Sequence, residues 1–239
     1  MSQPLLSMRR VGKTHGGGAQ RVDALVDVDL DLMAGELVAV TGRSGSGKTT
    51  LLNLAGALDE PTTGDVMVEG QNLAALDKKD LARVRRVSVG YMFQQFNLLP
   101  SLTASENVSL PLELDGVDPK EAREHAIVAL AEVDLMGLED RYPDQLSGGE
   151  QQRVAIARGL VGPRSILLAD EPTGALDETT SESILKVLRS RCDDGAAALL
   201  VTHEPAYAAW ADRVVRLRDG RIEDVSVRSK TPSTTADLP

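Results

Sequence analysis

The sequence predicts an α/β fold in which strands and helices alternate along the chain around one sheet, with a single helical insertion. Three observations carry this. Short aliphatic runs, SILLAD (165–170) and AAALLVT (196–202), have the length and composition of strands covered on both faces. Segments of helical period stand between such runs, as βα alternation requires. From about residue 95 to 160 the alternation stops and the pattern becomes helical.

Taken in order, VDALVDVDLDL followed by ELVAV (22–40) reads as two strands separated by a Met33-Ala34-Gly35 turn. TTLLNLAGAL (49–58) predicts a helix that offers Leu51, Leu52, Leu54, Ala55 and Leu58 for burial. PTTGDVMVEG (61–70) is a turn and a short strand, and LARVRRVSVGYMF (81–93) runs from a helix into a strand ending at Phe93. Within the insertion, Thr103 and Glu106 have capping-box spacing at the head of TASENVSLPLEL, and PKEAREHAIVALAEV (119–133) is amphipathic. The strand at 165–170 is followed by a helix, SESILKVLRSR (181–191), and the strand at 196–202. VVRLRDGRIEDV (214–225) predicts a terminal hairpin turning at Asp219-Gly220. The polar, Pro- and Thr-containing stretch 226–239 is expected to be a disordered tail. Residues 1–225 are expected to form one domain, with 1–94 and 161–225 as its core and 95–160 as a helical subdomain.

Composition narrows the function classes. A net charge of −10 and a pI near 4.8 argue against a nucleic-acid surface, which would need a basic face. With Cys192 as the sole cysteine, neither an internal disulfide nor a cysteine-rich metal site can form, which suits a reducing cytosol. MSQPLLSMRR at the start lacks the apolar stretch of a secretory signal. The longest aliphatic runs resemble AAALLV (196–201), far short of the ~20 residues that span a bilayer. Any membrane work would therefore need another chain to do the spanning.

GRSGSGKTT (42–50) fits G-x-x-x-x-G-K-[ST] between an apolar strand and a helix, the context that identifies a phosphate-binding P-loop. Residues without a Cβ let successive N–H groups of Gly42, Arg43, Ser44, Gly45, Ser46 and Gly47 curl around phosphate oxygens. The amides of Lys48, Thr49 and Thr50 add the positive end of the helix. Lys48 is placed for the β- and γ-phosphates, and the Thr49 hydroxyl for magnesium. These features imply a nucleoside triphosphate site. In SILLADEP, a buried strand delivers Asp170 as a candidate for the magnesium shell, and Glu171 as a candidate general base for an attacking water.

LSGGEQQRVAIARGL (146–160) closely resembles the signature sequence of ABC-type ATPases, and the resemblance covers residues from about 5 to 225. Ser147, Gly148 and Gly149 precede a helix and form a second amide nest suited to a γ-phosphate. The family resemblance implies that this nest closes over the P-loop of a second copy, giving a head-to-tail homodimer around ATP. It also implies a RecA-like core with an antiparallel β subdomain. By the same resemblance Gln94, rather than Gln95, senses magnesium and water, Asp177 in GALD contacts the opposite subunit, and His203 stands against the γ-phosphate and the glutamate. One departure is KTHGGGAQ (13–20), where His15 occupies the place at which the family stacks an aromatic ring, commonly tyrosine, on adenine. Imidazole offers less area, so weaker base recognition and tolerance of GTP are expected.

FNLLPSLTASENVSLPL (96–112), together with LSGGEQQR and ADEPTGALD, resembles the macrolide-export, lipoprotein-release and cell-division subgroup (the MacB, LolD and FtsE types). That implies an ATPase on the cytoplasmic face of the membrane, serving an integral permease of FtsX or MacB type. Contact is expected near an apolar patch of Phe96, Leu98 and Leu99. The alternative is a soluble ABC ATPase of the iron–sulfur assembly type. A non-enzymatic regulator would be expected to lack Lys48 or Glu171.

Overall fold

Residues 3–18 and 21–227 are described in a computed structural model of the chain. The strands are β1 (Leu6–His15), β2 (Val22–Leu32), β3 (Leu37–Thr41), β4 (Thr63–Val68), β5 (Gln71–Asn72), β6 (Val89–Met92), β7 (Ile166–Asp170), β8 (Ala197–Val201), β9 (Arg213–Arg218) and β10 (Arg221–Val227). The helices are α1 (Lys48–Ala55), α2 (Lys78–Val87), α3 (Ala104–Leu114), α4 (Pro119–Ala131), α5 (Gly148–Leu160), α6 (Glu178–Asp193) and the short α7 (Pro205–Ala208). No helix among the described residues is long and apolar enough to cross a membrane.

One sheet has the order β10-β9-β3-β8-β7-β6, parallel throughout except for the β9–β10 hairpin, and the other is antiparallel with the order β2-β1-β4-β5. Every residue of β7 and β8 is buried, as their unbroken aliphatic runs require. The side-chain period of two divides β3 between two cores. Leu37 and Ala39 pack with α3–α6 on one face, and Val38 and Val40 pack with α1 and the antiparallel sheet on the other. Register then aligns the strand ends. Val40 and Asp170 both pair with Val201, and Met92 pairs with Ala169, so the loops that follow these strands emerge at one edge of the sheet. In open α/β sheets this edge is where ligands bind.

Several expectations meet the structure directly. Thr103 and Glu106 make the reciprocal capping box, and Asp219 and Gly220, both at positive φ, form the hairpin turn. Helix α1 stops at Ala55 because Gly56 caps it and Ala57 is left-handed, leaving Leu58 outside the helix. Helix α6 begins at Glu178, ahead of the predicted segment, because the Asp177 carboxylate caps the Thr180 amide.

Both strands expected at 22–40 are present, and the turn at 33–35 sends them into different sheets. Other expectations need correction. Strand β1 escaped the sequence reading, since a left-handed Arg10 and repeated register shifts against β2 break its alternation. The expected tail begins too early, because Ser226 and Val227 belong to β10; residues 228–239 lie outside the described residues. The segment 95–103, expected to be helical, contains no helix.

Candidate active site

The P-loop follows β3 and is wedged between two strands. Gly42 and Gly47 have positive φ, and a Cβ on either would collide with backbone oxygen, Leu217 O on β9 for Gly42 and Ala24 O on β2 for Gly47. Only glycine fits. The terminal hairpin braces the loop from outside: Gly220 N donates to Ser46 O at 3.1 Å, and Val26 N donates to Gly220 O at 2.8 Å. Lys48 Nζ donates to Gly42 O at 2.9 Å and to Arg43 O at 3.0 Å, so the ammonium lies across the mouth of its own loop.

Two features fit a triphosphate. The first amides of α1 lack intrahelical partners. Ser46 is buried, and its Oγ has no hydrogen-bond partner among the described residues. Residues 42–46 and His203 also line a cavity of about 1240 Å³ whose opposite wall is β9 and β10, with Arg43, Ser44 and Gly45 exposed on its rim; Lys48, Thr49, Asp170 and Glu171 do not line it.

Thr49 Oγ1 donates to Asp170 Oδ2 at 2.9 Å, joining α1 to the end of β7. Asp170 is 5% exposed, and burial holds its carboxyl above the usual range. The Thr49 hydroxyl pulls in the opposite direction, Glu171 adds repulsion and Lys48 offsets part of it. Magnesium would suit this donor set, a hydroxyl and a carboxylate at a phosphate cradle.

Glu171 follows at φ 48°, a left-handed conformation that costs a non-glycine residue about 1–3 kcal/mol. That turn aims its carboxylate out of the sheet while Glu171 N still donates to Val201 O at 3.0 Å. Two predicted partners flank the carboxylate. His203 Nδ1 is 3.3 Å from Oε1, and Gln94 Nε2 is 3.5 Å from Oε2. Glu204 Oε1, which the sequence reading passed over in LLVTHE, lies 3.4 Å from His203 Nε2.

The remaining predicted residues lie elsewhere. Ser147 caps α5, its hydroxyl donating to Glu150 Oε2 at 2.8 Å, and Gly148 has open space beside it. A Cβ on Gly149 would sit 3.6 Å from Ala175 O, so the nest adjoins the GALD loop rather than the P-loop cavity of the same chain. Both Asp177 oxygens are engaged within α6, accepting from Thr180 N at 2.9 Å and Thr180 Oγ1 at 2.7 Å. These bonds hold the carboxyl below its usual range. His15 is exposed at the end of β1, and Thr50 lies in the first turn of α1.

The apolar patch expected at 96–99 is divided. Leu98 packs against the helical core, Phe96 is half-buried, and Leu99 is 43% exposed. Sequence reasoning missed the hairpin brace, because nothing in the Asp-Gly signal shows that its Gly220 meets a loop more than 170 residues upstream.

A sequence profile described as "ABC transporter" matches residues 25–174. A macrolide export ATP-binding/permease protein, MacB, of Photorhabdus laumondii is 42% identical, the match covering 98% of this chain and 37% of that protein. The protein of the same description from Hyphomonas neptunium is 46% identical, with 93% of this chain and 34% of that protein covered. The chain thus spans about a third of the length of these curated relatives. Among solved structures, the dimeric post-hydrolysis state of the ATP-binding cassette MJ0796 bound to ADP and Pi is similar, with a TM-score of 0.89. It is 41% identical, covering 93% of this chain and 98% of that one.

The raised pKa of Asp170 makes a stability prediction. The folded protein holds this proton more tightly than the unfolded chain does. The associated stability is full below the unfolded value near 3.8 and is lost as pH rises through the folded value. Without nucleotide, Asp170→Asn should therefore melt above the wild type at pH 8, with the gap closing toward pH 4. A variant that melts lower across this range would contradict the assignment.

Proposed function

The chain belongs to the ABC transporter family, and from that premise we propose that it binds and hydrolyses ATP to drive a membrane permease. The observation that carries the reading is the convergence, at one sheet edge, of the P-loop, the Thr49–Asp170 bond, and a Glu171 flanked by Gln94 and His203. Lys48 and the amides of residues 42–50 hold the triphosphate. Glu171 accepts a proton from the water that attacks the γ-phosphorus as the bond to the β-phosphate oxygen breaks. His203 steadies the Glu171 carboxylate and faces the γ-phosphate. Magnesium, when bound, neutralises charge on the phosphate oxygens; Thr49, Asp170 and Gln94 are the residues suited to hold it.

Two phosphate cradles on separate surfaces of one chain favour a head-to-tail homodimer in which Ser147, Gly148 and Gly149 close over the P-loop of a second copy. The similar MJ0796 cassette is described as dimeric, which supports this. The relatives' description as ATP-binding/permease proteins favours a membrane partner, of MacB or FtsX type, over soluble iron–sulfur assembly. The ATPase would then sit on the cytoplasmic face of the membrane.

A cleft of about 210 Å³ between the core and α3 offers the permease a seat better formed than the divided patch at 96–99. Leu114 and Leu58 line it and are 63% and 45% exposed. Arg85, Arg86, Arg158 and Arg164 contribute their stems to its wall while their guanidinium groups are engaged by Ala57 O, Asp115, Asn97 O with Phe96 O, and Val161 O, so the cleft suits an apolar segment.

Four variants test this reading. Glu171→Gln should trap ATP in a long-lived dimer while turnover falls at least ~100-fold; near-normal turnover would remove the general base. Lys48→Ala should instead weaken nucleotide binding itself, so that the two variants differ in kind. His15→Tyr should favour ATP over GTP more than the wild type does in competition binding, and identical preferences would discard a base-stacking role. Leu114→Asp should abolish co-purification with a multi-spanning permease from membranes while the isolated chain remains folded; undiminished recovery would move the docking surface elsewhere.

A further inference from the structure

Arg158 occupies the last turn of α5, thirteen residues long, whose first turn carries the Ser147 nest. Burial lowers the pKa of its guanidinium, and its hydrogen-bond partners are backbone carbonyls. Nη1 donates to Asn97 O at 2.7 Å and Nη2 donates to Phe96 O at 2.8 Å. A planar fork can bridge two successive carbonyls in this way; a lysine ammonium, a single point charge, cannot do so with the same geometry.

The segment it grips has no ladder of its own. Residues 95–103 contain neither helix nor strand, and Asn97 is left-handed at φ 49°. Its far end is tied by Asn107, which accepts from Leu99 N at 2.8 Å and donates to Leu99 O, Leu102 O and Thr103 O. Its near end is tied by Arg158, just after Gln94, whose amide lies 3.5 Å from Glu171. Removing the Arg158 fork would leave the segment fastened from residue 99 onward. Arg158 also lines the Leu114 cleft, so one side chain touches the cleft, α5 and the Gln94 segment.

We propose that Arg158 is a positioning residue that clamps the Phe96–Asn97 backbone to α5, so that Gln94 is set beside Glu171. This rests on the hydrolytic reading above. Arg158→Lys keeps the charge and loses the fork. ATP binding without magnesium should be unchanged, because the P-loop is not involved. In hydrolysis, kcat should fall by about tenfold, as expected for a misplaced group, and half-saturation by magnesium should rise. In a Gln94→Ala background Arg158→Lys should add no further magnesium effect.

Arg158→Met, similar in bulk but without donors, carries the same readouts if the lysine variant folds poorly. In the wild type, peptide-level hydrogen exchange should show residues 94–99 and 154–160 gaining protection together on binding Mg-ATP. The clamp is overturned by unaltered magnesium half-saturation, by additive effects in the double variant, or by protection of one segment without the other. A wild type that fails to hydrolyse ATP would instead overturn the hydrolytic reading, while the exchange experiment still decides the clamp.

Discussion

Parallel pairing of β3, β8, β7 and β6 in a single register is the constraint on which the site depends. Val40 and Asp170 share Val201 as a register partner, and Met92 lies beside Ala169, so four chain segments leave the sheet within about one residue of a common line. No candidate side chain has to reach far. The 121 residues separating Thr49 from Asp170 collapse to a 2.9 Å hydrogen bond because β3 and β7 both flank β8. The aliphatic residues of these strands, divided between two cores by the period of two, hold the register and thereby hold the chemistry.

The same edge concentrates features that oppose folding. Asp170 is a buried carboxylate, Glu171 is left-handed, and the Ser46 hydroxyl has no partner among the described residues. Each makes sense if the missing partner is a phosphate or its metal, since anions and cations at these atoms would satisfy what the protein leaves open. By contrast, the capping boxes at Thr103 and Ser147 and the Asp177 cap are internally complete. Strain thus marks the P-loop edge as arranged for a ligand, whereas Ser147 would have to give up its bond to Glu150 before meeting the phosphate of a second copy. The same applies to the inherited role for Asp177: its carboxylate would have to exchange helix-capping bonds for any contact with a second copy.

Legibility in the sequence followed the range of the interactions. Motifs whose physics is local could be read directly: the glycine loop, the Thr103–Glu106 box, the Asp-Gly turn and the aliphatic strands. β1 was invisible because Arg10 and the register shifts with β2 spoil its alternation, and its partner strands supply the regularity that its sequence lacks. The division of Phe96, Leu98 and Leu99 was equally hidden. Their spacing permits an exposed patch, but Leu98 turns inward against α-helical partners that only the tertiary fold provides. The hairpin brace on Ser46 and the Arg158 grip on residues 96 and 97 are contacts to backbone atoms, which carry no sequence identity to be read.

Helix α5 deserves a mechanical reading for the same reason. It spans roughly 20 Å at the usual rise of 1.5 Å per residue, with Ser147 at one end and Arg158 at the other. Its last turn lies hard against β6: a Cβ on Gly159 would stand 2.9 Å from Met92 Cγ, and a Cβ on Gly90 would strike Gly159 O. Contact this close leaves little room for the helix end to slide independently of the strand that leads to Gln94. A displacement imposed at the Ser147 end would then be felt at its seat on β6 and at its hold on Phe96 and Asn97. On the proposed hydrolytic reading, a helix packed in this way would act as a lever between the Ser147 end and the residues beside Glu171, with the glycines setting its fulcrum and Arg158 its grip.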